Sequence, residues 1–240
     1  MKYVLIILAC STILSCQTSN KDSEYYKVGY KGALKNFMHD ADISAKVDLE
    51  DFKNTPNFYA LGAIEGLKGE IQIFNSEPFI TSVDRNSLKF DKSFTKKASL
   101  LVYASVKEWD SILIPKNIIS YVQLENYIVK VADEKGINTN EPFPFLLEGV
   151  INSFEWHVIN WKDGDTIHSH EKHKSVGMRG TMNNRDVQML GFYSNAHQTI
   201  FTHTTTNMHI HVKTEGNGVA GHVDGLFLNN GMTLKLPEIK

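Results

Sequence analysis

Hydrophobic patterns divide this 240-residue chain into many short strands and a few helices. Apolar residues recur at helical spacing in residues 30–38 and 121–135, and residues 47–53 predict another short helix. The alternation of EIQIF, within residues 69–74, is typical of a strand. Further strands are predicted at residues 58–62, 79–83, 87–90, 98–106, 146–153, 155–160, 188–193, 208–213, 218–223 and 232–236. The pattern therefore predicts a β-rich chain with few helices.

The first residues have the layout of an export signal. Lys2 supplies a positive charge, an apolar run follows, and ILSC at residues 13–16 resembles a bacterial lipobox in which Cys16 becomes the lipidated first residue. An ordinary cleaved signal is the alternative. We predict a signal at residues 1–16, too short to span a bilayer permanently, and a polar tether at 17–24. The protein is expected to be exported and anchored at Cys16 to the periplasmic or cell-surface side of a bacterial membrane.

The rest of the chain reads as a globular body in two parts. The run INTNEPFP interrupts the pattern after the second helix, so we predict an N-terminal part at residues 25–140 and a C-terminal part at 141–240. The formal net charge is -2, and no basic stripe is available to neutralise phosphates, which argues against a nucleic-acid partner.

Cysteine usage restricts the chemistry. Both cysteines, Cys10 and Cys16, lie in the leader, so the body has no disulfide, thiol nucleophile or thiolate metal ligand. Any catalysis must use histidines, carboxylates, arginine or a metal.

Three histidines are spaced as metal ligands would be. Side chains at i and i+2 leave the same face of a strand, so His209 and His211 point together. His222 follows a polar, glycine-rich connection that is typical of a hairpin. Three imidazoles with one open position are the ligand set of a catalytic zinc site. Two histidines on a solvent-facing strand are the simpler interpretation of the His-x-His alone.

The remaining candidates carry weaker signals. His197 and His203 are either donors that orient the metal ligands or part of a polar strand edge, whereas DTIHSHEKHK, with its three histidines, is typical of a solvated loop. His39 and His157 carry no pattern. Glu70 follows Gly69 at the start of a strand and would by default be an exposed strand end.

In combination these residues resemble the α-acetolactate decarboxylase family. The family's Gly-x-x-x-x-Leu-x-Gly-Glu segment corresponds to residues 62–70, and its His-x-His followed by Gly-His corresponds to His209, His211, Gly221 and His222. The segments YKGALKNFMHD, LLEGVINSFEWHVIN, MLGFYS and LKLP agree in order, so the similarity spans residues 30–237.

The resemblance implies a fold and a function. The expected fold is β-rich α/β (α+β), with an N-terminal mixed β-sheet and helices, and a C-terminal β-barrel-like sheet that carries the metal. His209, His211 and His222 would bind Zn²⁺, or another divalent metal, and Glu70 would be an active-site carboxylate. The substrate would be a small hydroxy-keto acid, 2-acetolactate, converted to acetoin and CO2 without an organic cofactor. Family members commonly form homodimers.

Two departures from the family stand out. Alignment by eye puts Asn160 where the family has a substrate-binding arginine, so Arg179 or Arg185 would have to supply the positive charge. The family also has a glutamate on a C-terminal tail, for which this chain offers only Glu238.

Two other functions fit parts of the pattern. A cupin-type metal protein would use His209, His211 and Glu215, although the sequence contains no second half-motif. A non-catalytic, lipid-anchored binding protein would keep the scaffold and the zinc but hold another oxygen-rich ligand in the altered pocket. Turnover separates this second alternative from the decarboxylase.

Overall fold

The computed structural model describes residues 25–240, except for the side chains of residues 170 and 217. The α-helices are α1 (Leu34–Asp40), α2 (Tyr121–Glu134) and α3 (His170–Ser175). The strands are β1 (Gly29–Lys31), β2 (Val47–Asp48), β3 (Phe58–Ile64), β4 (Glu70–Phe74), β5 (Glu77–Pro78), β6 (Ile80–Asp84), β7 (Ser87–Asp91), β8 (Lys97–Ser105), β9 (Trp109–Leu113), β10 (Phe143–Val158), β11 (Met178–Tyr193), β12 (Met208–Thr214), β13 (Ala220–Phe227) and β14 (Thr233–Pro237). The predicted β-rich class with few helices is confirmed.

The strands form two sheets. In the N-terminal sheet the order is β1-β8-β3-β4-β6-β7, with β2 beside β8 and β5 beside β4. All of its strand pairings are antiparallel, so the sheet is not mixed as predicted. The physical reason is that short turns join most of its successive strands, and short turns can link only antiparallel neighbours.

The C-terminal sheet has the order β11-β12-β13-β10-β14-β9. Strand β10 also pairs with β11, so the pairings run in a circuit from β10 through β11, β12 and β13 back to β10. The expected barrel-like character is limited to this circuit of four strands. Strand β9, which precedes residue 140, pairs with β14 in this sheet. The division of the chain at residue 140 therefore does not separate the sheets, and as a domain boundary it stays a prediction.

Both faces of the strands β3 and β4 are buried. In β4, Ile71 and Ile73 join a small core on the outer face of the N-terminal sheet. Phe74 joins the main core, which includes residues of both sheets. Because side chains alternate along a strand, Glu70 and Gln72 share the face of Phe74 and point toward the C-terminal sheet.

Helices α1 and α2 pack on the main core. In α2 the predicted apolar face is confirmed, with Leu124, Ile128 and Val131 buried, and Ser120 and Gln123 form a capping box at its start. The amides of Leu34 and Lys35 at the start of α1 donate to the carbonyls of Ile200 and Thr199. Among residues 25–240, no helix is long and apolar enough to cross a membrane. The predicted signal and Cys16 lie outside the described residues.

Candidate metal centre and active-site cavity

Strand register brings three histidines side by side on the C-terminal sheet. His211 on β12 lies directly opposite His222 on β13, and His222 lies opposite His157 on β10. His209 is two residues before His211 and therefore on the same face. Gly221 permits this packing, because a Cβ at that position would lie 2.5 Å from the carbonyl oxygen of His157.

The imidazoles of His209, His211 and His222 converge. Nε2 of His209 and Nε2 of His211 are 3.2 Å apart, and the ring centroids of the three histidines are separated by 5.0, 5.1 and 5.5 Å. Around a tetrahedral zinc with Zn–N bonds of about 2.0–2.1 Å, ligand nitrogens lie about 3.3 Å apart and ring centroids about 5.2 Å apart. The ring separations and the one close nitrogen pair are those of imidazoles that share a metal, and the assignment of these three histidines as its ligands stays a prediction.

The buried amide of Gln72 orients one of these rings from behind. Nδ1–H of His211 donates to Oε1 of Gln72 at 3.1 Å, and the amide nitrogen of Gln72 donates to the carbonyl of Phe79 and to Oγ1 of Thr81. This arrangement leaves Nε2 of His211 directed toward His209. A fixed hydrogen bond to the far nitrogen is the usual way in which proteins orient a metal-binding imidazole.

A second donor group overlaps the first. Potential ligand atoms of His157, His222 and Asp224 all lie within 4.8 Å of one another, so this group could also hold a metal. Nδ1–H of His157 donates to Oδ2 of Asp224 at 2.8 Å, and Nδ1 of His222 lies 3.4 Å from Oδ1. Because Asp224 faces the Nδ1 side of both rings, it is better placed to orient His157 and His222 than to share a metal with His209 and His211.

Burial keeps the predicted ligands neutral. Burial and the neighbouring histidines lower the pKa of His209 and of His211 well below the ordinary value. Burial lowers the pKa of His222 to about 3, although Asp224 opposes that shift. Neutral imidazole is the form that binds metal ions, so the donor set suits a divalent cation such as zinc.

A hydrogen bond joins Asp224 and His157 and shifts the pKa of both groups. Burial raises the pKa of Asp224, but the hydrogen bond from His157 and the contact with His222 lower it by more, so it lies well below its ordinary value. Burial lowers the pKa of His157, but Asp224 and Glu70 raise it by more, so it lies above its ordinary value. His157 therefore carries positive charge more readily than the other buried histidines.

Glu70 reaches the same place from the N-terminal sheet. Its Oε1 accepts a hydrogen bond from the amide of Ile159 at 3.1 Å, and its Oε2 lies 3.7 Å from Nε2 of His211. Burial raises the pKa of Glu70 to about 7, against the opposing effects of His157 and the Ile159 amide. Gly69 has φ +151°, and a Cβ there would lie 2.1 Å from the carbonyl of Thr81. The glycine thus lets β4 begin close to β6, and Glu70 is a buried site residue, not an exposed strand end.

Several of these groups line a cavity of about 60 Å³. Its wall includes Glu70, His157, Lys174, His203, His209 and His222. A second cavity of about 270 Å³ adjoins it and shares Leu34, His173 and His203 with it. The shared residues lie where the second cavity, called the outer chamber below, meets the cavity at the histidine site.

Lys174 is brought to the cavity by the segment between β10 and β11. This segment rests on the buried Trp161, whose Nε1–H donates to the carbonyl of Asp165 at 2.8 Å and whose ring stacks on His168 at 4.1 Å. The side chain of Lys172 pairs with Asp165 at 2.5 Å. Helix α3 follows, so the predicted solvated loop contains a short helix; its described residues are all exposed or half-buried, as predicted, with His168 and His173 among the half-buried ones. Nζ of Lys174 lies 3.7 Å from Oδ1 of Asp224.

The structure does not bring every predicted residue to the cavity. Asn160 lies outside it, since His157 and Ile159 face the cavity and side chains alternate at the end of β10. The residue aligned with the family arginine is thus not part of the cavity wall, whereas His157 is. Arg179 and Arg185 are exposed on β11 and do not line the cavity.

Two further candidate carboxylates, the tail residue Glu238 and the cupin-type ligand Glu215, also lie outside the cavity. Glu238 pairs with Lys240 at 3.7 Å and lies away from the cavity. Glu215 is exposed in the 3-10 turn Glu215–Asn217, so it does not complete a cupin-type ligand set with His209 and His211. His203, in contrast, lies with its Nε2 3.2 Å from Nε2 of His222.

Sequence reasoning missed four residues of the site: Gln72, His157, Lys174 and Asp224. The segment EIQIF contains one signal for Gln72. Its isoleucines must be buried, so its polar side chains leave the other face of the strand together and could share a site. Asp224 lies two residues after His222, where a same-face carboxylate is a reasonable partner for a ligand. Nothing in the sequence marked His157 or Lys174.

Comparisons with known proteins agree with this architecture. No family model matches the chain, and neither does any curated protein. Among solved structures, acetolactate decarboxylase from Bacillus subtilis subspecies spizizenii superimposes with a TM-score of 0.69 at 13% identity, covering 88% of this chain and 85% of that one. The α-acetolactate decarboxylase of Bacillus subtilis strain 168 gives 0.68 at 12% identity with the same coverage.

A third structure extends the set. A protein of unknown function from Staphylococcus aureus, described as similar to α-acetolactate decarboxylase, gives a TM-score of 0.66 at 11% identity, again over 88% of this chain and 85% of that chain. At these identities the likeness concerns the backbone. The chain therefore has the two-sheet fold of the acetolactate decarboxylases.

Proposed function

We propose that this protein is a metal-dependent decarboxylase that converts 2-acetolactate, or a closely similar 2-hydroxy-3-keto acid, to the hydroxyketone and CO2. The observation that carries the proposal is the convergence of His209, His211 and His222 on one another, beside a cavity that His209, His222 and Glu70 line. These three histidines would hold the metal, which we take to be Zn²⁺ because the donors are all imidazole nitrogens; other divalent metals suit the same donors.

The reaction requires stabilisation of negative charge. In acetolactate the carboxylate is β to a ketone, so breaking the bond to the carboxylate leaves an electron pair in an enediolate. Bound zinc would supply Lewis-acid stabilisation of that charge. The residues of the chain then have to hold the carboxylate, exclude water and deliver one proton.

Lys174 and His157 are the cations that would attract the substrate carboxylate. Both line the cavity, and each is close to Asp224, at 3.7 Å for Lys174 and 2.8 Å for His157. Asp224 holds the two cations in place from one side. This arrangement replaces the arginine that the family resemblance implied, and neither Arg179 nor Arg185 is needed for it.

Glu70 is placed to deliver the proton. Its Oε1 is held by the amide of Ile159, while Oε2 lies on the side of His211, where the substrate oxygens would be. After CO2 leaves, a proton added to the enediolate carbon completes the hydroxyketone, and the Glu70 carboxyl regains its proton from solvent.

The decisive experiment measures acetoin released from racemic acetolactate by the zinc-loaded full chain. We expect turnover, and a loss of about 10²–10⁴-fold in kcat for Glu70→Gln, which keeps the size of the side chain but not its acid–base chemistry. Glu77→Gln, an exposed position on β5, is the matched control and should leave kcat unchanged.

Absence of turnover with stoichiometric zinc would contradict the decarboxylase. It would favour the second candidate, a metal protein that binds an oxygen-rich ligand without converting it. A specific observation supports that candidate, because among residues 25–240 no arginine lines the cavity. Calorimetric binding of a non-reactive hydroxy-keto acid analogue to the zinc protein would then be the next measurement.

We further propose export and lipid anchoring at Cys16, on the strength of the sequence alone. Labelling with a fatty-acid analogue in a bacterial host should modify the wild type and not Cys16→Ala. Homodimer formation, expected from the family resemblance, stays a prediction that sedimentation equilibrium would check.

A further inference from the structure

The outer chamber has a wall of basic and hydroxyl side chains. One lysine, three histidines and four threonines line it, together with the apolar residues Leu34 and Met38. Of the described residues in this wall, none is acidic. Lys35 brings a positive charge and three hydrogen-bond donors. The wall therefore favours a negatively charged group in the chamber.

Thr202 contributes a hydroxyl group that has no hydrogen-bond partner. The residue is fully buried in the wall of the chamber, and within residues 25–240 its Oγ1 makes no hydrogen bond. Buried hydroxyl groups nearly always have a partner. Because a hydroxyl can rotate its hydrogen toward an acceptor, an oxygen atom of a ligand in the chamber would supply the missing partner.

The backbone attaches Lys35 and Thr202 to the same residue. The amide of Lys35 donates to the carbonyl of Thr199 at 2.8 Å, and the amide of Thr199 donates to the carbonyl of Thr202 at 2.8 Å. The amide of Thr202 donates in turn to the carbonyl of His197. The start of α1 and the turn at residues 197–202 thus form one hydrogen-bonded unit, which keeps the lysine and the threonine on the same wall.

The chamber meets the cavity in which the proposed reaction takes place. Leu34, His173 and His203 line both, and the chamber, at about 270 Å³, is larger than the inner cavity of about 60 Å³. Acetolactate carries one carboxylate, which the proposed function assigns to Lys174 and His157. Acetolactate therefore has no group for the basic wall of the chamber, whereas a longer substrate would reach it.

We propose that the substrate is a dicarboxylate, a 2-hydroxy-3-keto acid whose second carboxylate is carried on an alkyl chain and binds Lys35 and Thr202 in the outer chamber. The inference rests on the proposed function and names its substrate class. A carboxylate, with one negative charge, matches the single lysine of the wall better than a doubly charged phosphate does. Leu34 and Met38 suit the alkyl chain.

The second carboxylate takes no part in the chemistry. The bond between C1 and C2 of the substrate breaks, its electron pair passes into the enediolate, and CO2 leaves. A proton then adds at C2, and the second carboxylate remains on the hydroxyketone product. Its role is to bind, so its contribution is measured by comparing substrates that differ only in that group.

The experiment measures CO2 release by the zinc-loaded full chain from two pairs of racemic substrates. The first pair is 2-hydroxy-2-methyl-3-oxohexanedioate, extended on the ketone side, and its C6 amide. The second pair is 2-acetyl-2-hydroxypentanedioate, extended on the other side, and its C5 amide. We expect kcat/KM for at least one dicarboxylate to exceed that for its neutral amide by about tenfold or more, as for a hydrogen bond to a charged group.

Two variants test whether the preference comes from the chamber. Lys35→Met should lower the preference for the dicarboxylate over its amide by about tenfold, and Thr202→Val by about threefold. Thr202→Val should also melt no lower than the wild type, because the hydroxyl that it removes has no partner in the fold. Lys97→Met, at an exposed position on β8, is the matched control and should keep the preference.

The outcomes separate this inference from the proposed function. Turnover of acetolactate without a preference for either dicarboxylate over its amide overturns the substrate class and leaves the decarboxylase standing. A preference that persists unchanged in Lys35→Met has the same meaning. No turnover of acetolactate or of any of the four extended substrates overturns the decarboxylase and the substrate class together.

Discussion

The hairpin β12–β13 and the segment between β10 and β11 serve the same cavity but position their side chains differently. In the hairpin, His211 and His222 are opposite one another in a hydrogen-bonded ladder, and His211 is completely buried. In the segment, Lys174 is carried by a six-residue helix and its side chain is 29% exposed. Paired strands thus hold the histidines that the proposed function assigns to the metal. A short helix carries the lysine that it assigns to the substrate carboxylate.

The physical difference lies in what each region is attached to. Strands β10, β12 and β13 are joined to one another by backbone hydrogen bonds along their length, and their inward faces are packed in the main core. The segment is attached largely through Trp161, whose amide donates to the carbonyl of Leu67 at 2.9 Å. Functional groups on sheet strands are held more precisely than groups on connections. Variants in the two regions should therefore fail in different ways.

The largest effect is expected for His211→Ala. Removing a strand ligand should abolish stoichiometric zinc binding, and turnover should fall by about a thousandfold or more, because several kcal/mol of charge stabilisation are lost with the metal. Metal analysis and acetoin release measure the two effects together. Lys89→Ala, at an exposed position on β7, serves as the control. Full zinc occupancy in His211→Ala would show that the strand histidines are not the ligands.

Gln72→Leu should have the next largest effect. The substitution keeps the volume but removes the acceptor for Nδ1–H of His211, so the ring can rotate, and zinc affinity should fall by about 10–100-fold. Chelator competition measures this loss. Gln188→Leu, on the exposed side of β11, is the matched control. An affinity equal to that of the wild type would mean that packing alone orients His211.

Lys174→Met should raise KM without lowering kcat. A hydrogen bond to a charged group contributes roughly 1.5 kcal/mol, so KM should rise by about tenfold, and zinc binding should be unaffected. Steady-state kinetics on acetolactate separates the two parameters. Lys162→Met, an exposed lysine of the same segment, should behave as wild type. A fall in kcat with unchanged KM would instead place Lys174 in the chemical step.

The smallest effect is expected for Arg179→Ala and Arg185→Ala. Both side chains are exposed on β11 and outside the cavity, so kcat and KM should stay within about twofold of wild type, as for most surface substitutions. The same kinetic assay applies. If either variant behaves like Lys174→Met, the positive charge for the substrate comes from β11 and not from α3.

The elements with strong local patterns could be predicted from the sequence. Helix α2 was predicted within one residue, and MHIHV was identified as a strand with its histidines on one face. The predicted strands at 146–153 and 155–160 are one strand, β10, because its pairing with β11 continues through residue 154. Strand β9 was missed, since its pairing with β14 joins residues that are far apart in the chain.

The site residues show the same difference between local patterns and long-range pairing. His209, His211 and His222 could be predicted because the two-residue period of a strand and a hairpin connection are both local features. Glu70 was identified through the family resemblance, but Gln72 was missed because β4 is buried on both faces, and alternation alone normally indicates one face in water.

The sequence by itself determined the class of the fold, the histidine hairpin and the kind of chemistry available to a body without cysteine. Only the tertiary structure decided that His157, and not Asn160, lines the cavity, that Asp224 lies between His157 and Lys174, and that His203 reaches His222. The reason is physical: periodicity fixes which face of its own strand a side chain leaves, whereas the neighbours it meets depend on the register between distant strands and on where a connecting segment packs.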